Sequence, residues 1–198
     1  MKAILFALLA CTFMSASIFA DDKAADDAKK KEMMEAWMKY ATPGANHKVL
    51  EPIAGKWKYT SKFWEAPESK PQESGGTSTM KMILGGRFLQ HDIKGKAMGM
   101  PFQGLGFTGY DNIKGTYESI WLDSMGTGLM HGTGSFDSAT KTLKDSGEYT
   151  CPMSDDKKCK YRSEWKIVDK NNMLYTMWGP DPEGKEFKQM EMAFKRTK

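Results

Sequence analysis

From residue 55 onward, apolar and polar residues alternate with a period of two, which is the pattern of a β-strand with one buried and one solvated face. In residues 55–65 one face carries Trp57, Tyr59 and Phe63, and the other face carries lysine and threonine. The same alternation predicts nine further strands, at about 77–84, 87–95, 102–110, 116–123, 128–136, 141–150, 158–168, 173–178 and 186–196. Ten short strands with no helix between them indicate an all-β fold.

Turn signals separate these strands and decide their arrangement. Examples are Gly85-Gly86, Asp137-Ser138 and the stretch from Pro180 to Gly184. A polar connection is predicted at 67–76, and every later connection is short enough to join neighbouring antiparallel strands. A closed antiparallel meander barrel of about ten strands is favoured over a two-sheet sandwich, because closure removes the exposed edges of an open sheet.

An N-terminal helical segment is predicted ahead of the barrel, in residues 30–54. Apolar residues at helical spacing line one face of its first part: Met33, Met34, Trp37, Met38 and Ala41. Thr42-Pro43-Gly44 ends this helix, and a shorter helical piece follows at 46–53. Two interpretations stay open: the helix packs on or plugs the barrel, or it docks on a partner or a membrane surface. The first is favoured because the helix has too few lysines for a strongly basic face.

Residues 1–20 have the layout of a secretory signal peptide, with Lys2, an apolar run and small residues up to Ala20. Cleavage after Ala20 would release a soluble periplasmic or secreted protein, since no later stretch approaches the roughly 20 apolar residues of a spanning helix. An alternative is a lipoprotein site with Cys11 acylated. Residues 21–29, which carry blocks of alternating charge, favour a flexible polar tether between the leader and the helix.

Charge excludes one class of function, and cysteine content suggests a crosslink. The leader holds one lysine and no acidic residue, so its removal from 29 basic and 25 acidic residues leaves a net charge of +3. That value is too small, and the lysines too scattered among acids, to predict nucleic-acid binding. Cys151 and Cys159 flank a turn-like Asp155-Asp156, which predicts a disulfide closing a hairpin in an oxidising compartment.

Several short motifs together carry a resemblance to a known family. Gly55-x-Trp57 after a short helix resembles the first motif of the calycin barrels, the lipocalin and nitrobindin type. Further motifs extend over about residues 34–196: Trp37-Met38-Lys39, Ala41-Thr42-Pro43-Gly44, His47, Ala54, Phe63-Trp64, Ile83-Leu84-Gly85-Gly86-Arg87-Phe88-Leu89, Met98-Gly99-Met100-Pro101-Phe102, Gly106-Phe107-Thr108-Gly109-Tyr110-Asp111-Asn112 and Gly184-Lys185-Glu186-Phe187. The whole pattern resembles the bacterial family called domain of unknown function 1579. That resemblance implies a calycin-like fold and frequent export, and it implies no catalytic residues.

Candidate chemistry is sparse. His91 shares a strand face with Leu89 and Ile93, so its ring is expected inside the barrel, either as a hydrogen-bonded interior histidine or as a ligand or acid–base group. His47 is expected to be a cap or surface residue, and His131 is ambiguous. No metal-ligand spacing, cofactor motif or Ser-His-Asp or Cys-His arrangement is recognisable, so no metal, cofactor or catalytic residue is assigned.

Methionines and aromatic residues supply a candidate ligand site. Sixteen methionines include same-face pairs such as Met80/Met82 and Met190/Met192, for which core packing, an apolar pocket and Cu(I) binding are the alternatives in that order. Glycines at 104, 106 and 109 suggest either tight curvature of the barrel wall or a glycine floor, that is, a stretch without side chains over which aromatic rings or a flat ligand stack. The candidate ligand-binding residues are Trp57, Tyr59, Met82, His91, Trp121, Trp165 and Tyr175.

The sequence therefore predicts an exported calycin-like barrel that binds a small hydrophobic or amphipathic ligand. One alternative is a structural or partner-binding module with a filled barrel and an exposed apolar patch around Trp37. Another is an enzyme in which His91 lies within hydrogen-bond reach of an acid such as Asp92 or Glu118. A ligand binder would instead contain a cavity that reaches the surface.

Overall fold

The computed structural model describes residues 11–151, 154 and 157–197, with side chains from residue 23 onward. The chain divides after Thr42 into an N-terminal helix and a barrel unit. No helix in the described part of the chain has the length and apolar character needed to cross a membrane.

Helix α1 spans Cys11–Ala41 and thus covers residues 21–29, for which the sequence predicts a flexible tether. Alanine and lysine are good helix formers, and opposite charges four residues apart support a helix. One such pair is Lys30 with Asp26, at 2.6 Å between Nζ and Oδ2. The side chains of Met33, Trp37 and Met38 are exposed. Residues 1–10 of the predicted leader lie outside the described residues, and both the leader and its cleavage site stay predictions.

Ten antiparallel strands form the barrel unit: β1 (Gly55–Phe63), β2 (Gln72–Ile83), β3 (Phe88–Ala97), β4 (Met100–Asp111), β5 (Thr116–Asp123), β6 (Met130–Asp137), β7 (Thr142–Thr150), β8 (Lys158–Ile167), β9 (Asn172–Pro180) and β10 (Glu186–Arg196). Each strand pairs with its neighbours in the chain, and β1 pairs with β10 to close the barrel. The predicted closed meander is therefore confirmed. Trp57 and Tyr59 of β1 are buried, as the alternation predicted.

Strand β2 is longer than predicted, because residues 72–76 of the expected polar connection belong to it. This polar stretch pairs along its whole length with the second half of β1. Ser74 Oγ lies 2.7 Å from Ser61 Oγ across the pair. Backbone pairing therefore continues through residues whose composition resembles a loop.

One end of the barrel is closed by helix α2 (Ala45–Lys48) and a 3₁₀ turn at Glu51–Ile53. Leu50 and Ile53 are buried there, and Trp57 Nε1 donates to the Ile53 carbonyl at 3.0 Å. The Arg196 guanidinium lies 4.0 Å from the Trp57 ring centroid. It also donates to the carbonyls of Pro52 and Ala54, both at 2.7 Å. The last strand thus fixes the segment that precedes the first.

The predicted disulfide is not found in the structure, where Cys151 and Cys159 are not bonded to each other. Cys159 lies opposite Tyr149 in the β7–β8 ladder, and the Cys151 N–H donates to the Lys157 carbonyl at 3.0 Å. The two cysteines are therefore diagonal rather than directly opposed. Diagonal neighbours in an antiparallel pair are about 7–8 Å apart, beyond the roughly 4.4–6.8 Å between Cα atoms that a disulfide spans.

Candidate functional site

The barrel interior contains a cavity of about 470 Å³. Ile53 lies at its closed end, and its exposed lining residues, including Glu73, Met98 and Met125, belong to the opposite end. The cavity therefore opens between the β1–β2, β3–β4 and β5–β6 connections. Its volume falls in the range of roughly 300–1,000 Å³ that is usual for small-molecule sites.

Five of the seven candidate ligand-binding residues line this cavity: Tyr59, His91, Trp121, Trp165 and Tyr175. Trp57 does not, because it is almost fully buried in the closed end. Met82 packs against the core near the same end. Met80, the preceding inward position of β2, lines the cavity instead. Strand alternation thus predicts which residues face inward. The distance of an inward residue from the closed end then decides whether it lines the cavity.

An aromatic wall forms around His91. Its ring centroid lies 5.4 Å from that of Trp121 and 5.5 Å from that of Trp165. In the sheet, Gly106 of β4 lies between His91 of β3 and Trp121 of β5. A Cβ at Gly106 would be 2.9 Å from the Trp121 ring, so the absence of a side chain lets the two rings meet. The glycine floor suggested by the sequence is therefore present under Trp121.

His91 is neutral at physiological pH. Burial lowers the pKa of His91 to about 4, and the nearby Asp92 charge offsets part of that shift. Its buried Nε2 has no hydrogen-bond partner among the described residues. The suggested acid partners are engaged elsewhere: Asp92 accepts from Gln90 Nε2 at 2.8 Å, and Glu118 pairs with Lys114 at 2.5 Å. The His91–carboxylate pair of the enzyme hypothesis is thus not found in the described structure.

A polar cluster for which the sequence predicts no role lies on another wall of the cavity. Asp145 of β7 accepts from Ser119 Oγ of β5 at 2.8 Å and from Ser163 Oγ of β8. Gly132 of the intervening β6 makes the first contact possible, because a Cβ there would be 2.7 Å from both Asp145 Oδ2 and Ser119 Oγ. The same Cβ would also collide with the hydroxyl of Tyr161. Three polar groups therefore converge over one glycine.

Tyrosines surround the Asp145 carboxyl. Burial raises the pKa of Tyr161 to about 12, and the Asp145 charge adds to the shift. Burial and the same charge raise the pKa of Tyr175, so both hydroxyls stay protonated. Burial also raises the pKa of Asp145, while hydrogen bonds from Ser163 and Ser119 offset part of that rise. One sequence signal was available: Asp145 has the same strand parity as the buried Leu143.

The remaining histidines lie away from this cavity. His131 is exposed. His47 is buried rather than superficial, and its Nδ1 accepts the Gly44 N–H at 3.0 Å. This hydrogen bond fixes the start of helix α2.

The methionine pairs have separate locations. Met80 and Met192 are buried in the core, whereas Met98 and Met100 are exposed around the β3–β4 hairpin. Within the described part of the chain, no three His, Cys, Asp or Glu residues are grouped as a metal site.

Two solved structures have the same fold. The crystal structure of Rv2717c from M. tuberculosis matches with a TM-score of 0.56 and 15% identity, over 79% of this chain and 100% of that chain. The S-type phycobiliprotein lyase CPES from Guillardia theta matches with a TM-score of 0.53 and 8% identity, over 79% of this chain and 99% of that chain. At these identities the likeness shows the fold alone. No curated protein has a significant sequence match to this chain.

The family, in contrast, is established from sequence. The model of the family described as "Protein of unknown function (DUF1579)" matches residues 42–196, which is more than half of the chain. The resemblance carried by the short motifs from residue 42 onward is thereby confirmed, and the chain belongs to this family.

Proposed function

We propose that this protein binds a small apolar or amphipathic molecule inside the barrel. The observation that carries the proposal is the cavity of about 470 Å³, which is enclosed at one end and open at the other. Mostly apolar walls with a few convergent polar groups are the usual composition of a ligand site. Here the walls include Trp121 and Trp165, and the polar groups gather around Asp145. A filled structural barrel would have left no such space.

The comparison of folds supports the same conclusion. A protein of similar fold is a phycobiliprotein lyase. The same fold therefore occurs in a protein that acts on another molecule. This favours a barrel that binds a molecule over a barrel with a purely structural role.

Calorimetric titration with 1-octanol, a short uncharged amphiphile, tests this proposal. We expect saturable binding to the purified protein with a stoichiometry of one. The variant Ala97→Trp places a large ring at the mouth of the cavity, where Ala97 is a lining residue, and is expected to abolish binding. The matched control Ala193→Trp makes the same change at an exposed position of β10 and is expected to bind normally.

Native mass spectrometry of protein purified from its own cells, with organic extraction, would identify a resident ligand. An empty barrel, together with equal behaviour of the two tryptophan variants towards octanol, would contradict the proposal.

We also propose that the protein is exported, with cleavage after Ala20. The support is the leader-like sequence of residues 1–20. The intact mass of the mature protein and its N-terminal residue test this directly. An N-terminus at Asp21 is expected, a lipid-modified Cys11 would establish the lipoprotein alternative, and an uncut chain would contradict export by this route.

A further inference from the structure

The charges that line the cavity are unequal. Of its charged lining residues, Asp123 and Asp145 share the strand parity of inward-facing neighbours, Trp121 on β5 and Leu143 on β7, whereas Glu73, Glu118 and Lys96 have the opposite parity. The His91 ring is neutral, as shown above. The inward-facing carboxylates are therefore not matched by an inward-facing lysine or arginine among the described residues that line the cavity, which favours a positively charged occupant.

Asp145 is the lining acid that lies away from the mouth of the barrel and has no salt-bridge partner among the described residues. Glu73 lies 3.8 Å from Lys62, and Glu118 lies 2.5 Å from Lys114. Asp123 sits at the end of β5, near the mouth, where it accepts from Trp121 Nε1 and from the Met125 N–H, both at 2.8 Å. Among the described residues, no lysine, arginine or histidine forms a salt bridge with Asp145, whose hydrogen-bond donors are neutral hydroxyls.

The Asp145 carboxylate retains room for a further donor. An ionised carboxylate offers about four lone-pair positions, of which Ser119 and Ser163 each use one. The two serines also fix the orientation of the carboxylate from opposite sides. A donor that arrives from the cavity therefore meets an acceptor that is already positioned.

Aromatic rings complete the surroundings of this carboxylate. Tyr161, Trp165 and Tyr175 all line the cavity, and the centroids of Trp165 and Tyr175 are 4.6 Å apart. The faces of such rings attract organic cations, most strongly where water is excluded. A carboxylate beside aromatic rings suits a cation with an apolar body better than it suits a neutral or anionic molecule.

We infer that the cavity selects amphipathic amines, with the ammonium group hydrogen-bonded to Asp145 beside the tyrosine rings and the apolar body along the Trp121 wall. This inference rests on the proposed function, since it names the class of ligand for the same cavity. Charge-assisted hydrogen bonds are stronger than neutral ones by enough to give a preference of about ten-fold.

The test compares molecules with one tail and different head groups: octylamine, 1-octanol and octanoate, titrated calorimetrically near neutral pH. Octylamine is expected to bind about ten-fold more tightly than octanol, and octanoate more weakly than either. The variant Asp145→Asn keeps the shape of the side chain and is expected to bind both octanol and octylamine with similar affinity. The control Asp123→Asn removes a different cavity carboxylate and is expected to keep the amine preference.

The outcomes separate this inference from the proposed function. Equal binding of octylamine and octanol by the wild type would overturn the amine selectivity and leave the ligand-binding barrel intact. Binding of none of the three molecules would overturn both. Loss of the preference in Asp123→Asn but not in Asp145→Asn would overturn the assignment to Asp145. If circular dichroism shows that Asp145→Asn is unfolded, Asp145→Glu replaces it. A folded Asp145→Glu variant that still prefers octylamine over 1-octanol supports the assignment to Asp145. A folded Asp145→Glu variant without that preference overturns it.

Discussion

His91 links the stability of the barrel to pH. In the unfolded chain the imidazole has its ordinary pKa of 6.5, whereas burial lowers the pKa in the folded barrel to about 4. Between these values the unfolded chain binds a proton that the folded protein does not bind. The free energy of unfolding therefore falls as the pH drops from 6.5 to 4. At roughly 1.36 kcal/mol per pH unit, His91 accounts for about 3 kcal/mol of that fall.

The variant His91→Phe keeps a ring among the aromatic neighbours and cannot take up a proton. We expect its loss of stability between about pH 7 and pH 4.5 to be smaller than that of the wild type by about 2 kcal/mol. Urea unfolding at the two pH values measures the difference. His131→Phe, at an exposed histidine, is the control and is expected to retain the wild-type dependence. Identical pH dependence in both variants would show that His91 titrates normally.

Gly132 is the residue on which the polar cluster depends. The variant Gly132→Ala would place a methyl group 2.7 Å from Ser119 Oγ and from Asp145 Oδ2, so these side chains must move apart. Overpacking of this kind destabilises proteins by about 1–3 kcal/mol. We also expect weaker binding of octylamine, because the orientation of Asp145 is lost. Thermal unfolding and calorimetry measure the two effects.

Gly126→Ala provides the matched control for this change. A Cβ at Gly126 has no heavy atom within 4 Å. The same substitution there is expected to leave stability and binding unchanged. A fully stable Gly132→Ala protein with normal octylamine affinity would argue against convergence of the three polar groups.

At the scale of elements, the closed end of the barrel depends on one side chain of the last strand. Arg196 bonds to the carbonyls of Pro52 and Ala54 and lies over the ring of Trp57. The variant Arg196→Lys keeps the charge but loses the planar group that makes these contacts together. We expect it to lower the free energy of unfolding by about 1–3 kcal/mol. Amide hydrogen exchange is expected to increase at Ile53 and Ala54.

Lys195→Ala serves as the comparison for Arg196→Lys. Lys195 is the exposed neighbour on β10, and its replacement is expected to change stability by no more than about 0.5 kcal/mol. If both variants unfold at the same urea concentration, the contacts of Arg196 with Pro52, Ala54 and Trp57 do not stabilise the closed end of the barrel.

The strands are the elements that the sequence predicts best, because a period of two is explicit in each of them. The start of β2 is missed since residues 72–76 are polar and rich in glycine and serine, and only their pairing with β1 makes them a strand. Helix α1 begins before the predicted residue 30 because charge blocks that suggest a tether also form pairs four residues apart. The disulfide is not predicted correctly because the β7–β8 register places Cys151 and Cys159 diagonally. The number of residues between two cysteines does not reveal that register.

The candidate site is only partly predictable, because it joins residues of distant strands. Parity along a single strand identifies His91, Trp121 and Trp165 as inward-facing. It does not reveal that Ser119 reaches Asp145 across a strand that carries glycine, since this contact depends on the pairing of β5, β6 and β7. A polar residue at an inward position was the available signal.

For the whole molecule, binding and stability are coupled. A ligand that binds only the folded barrel raises the free energy of unfolding by about 2.7 kcal/mol at a hundred-fold excess over its dissociation constant. We expect 1-octanol to raise the unfolding midpoint of the wild type and of Ala193→Trp, but not that of Ala97→Trp. Differential scanning fluorimetry measures the three midpoints. An equal shift in all three proteins would indicate that octanol binds outside the cavity.

The pairing of Trp57 with Arg196 means that β1 begins and β10 finishes side by side at the closed end. A fusion partner or a surface linkage attached after residue 197 would accordingly leave the mouth of the cavity unobstructed.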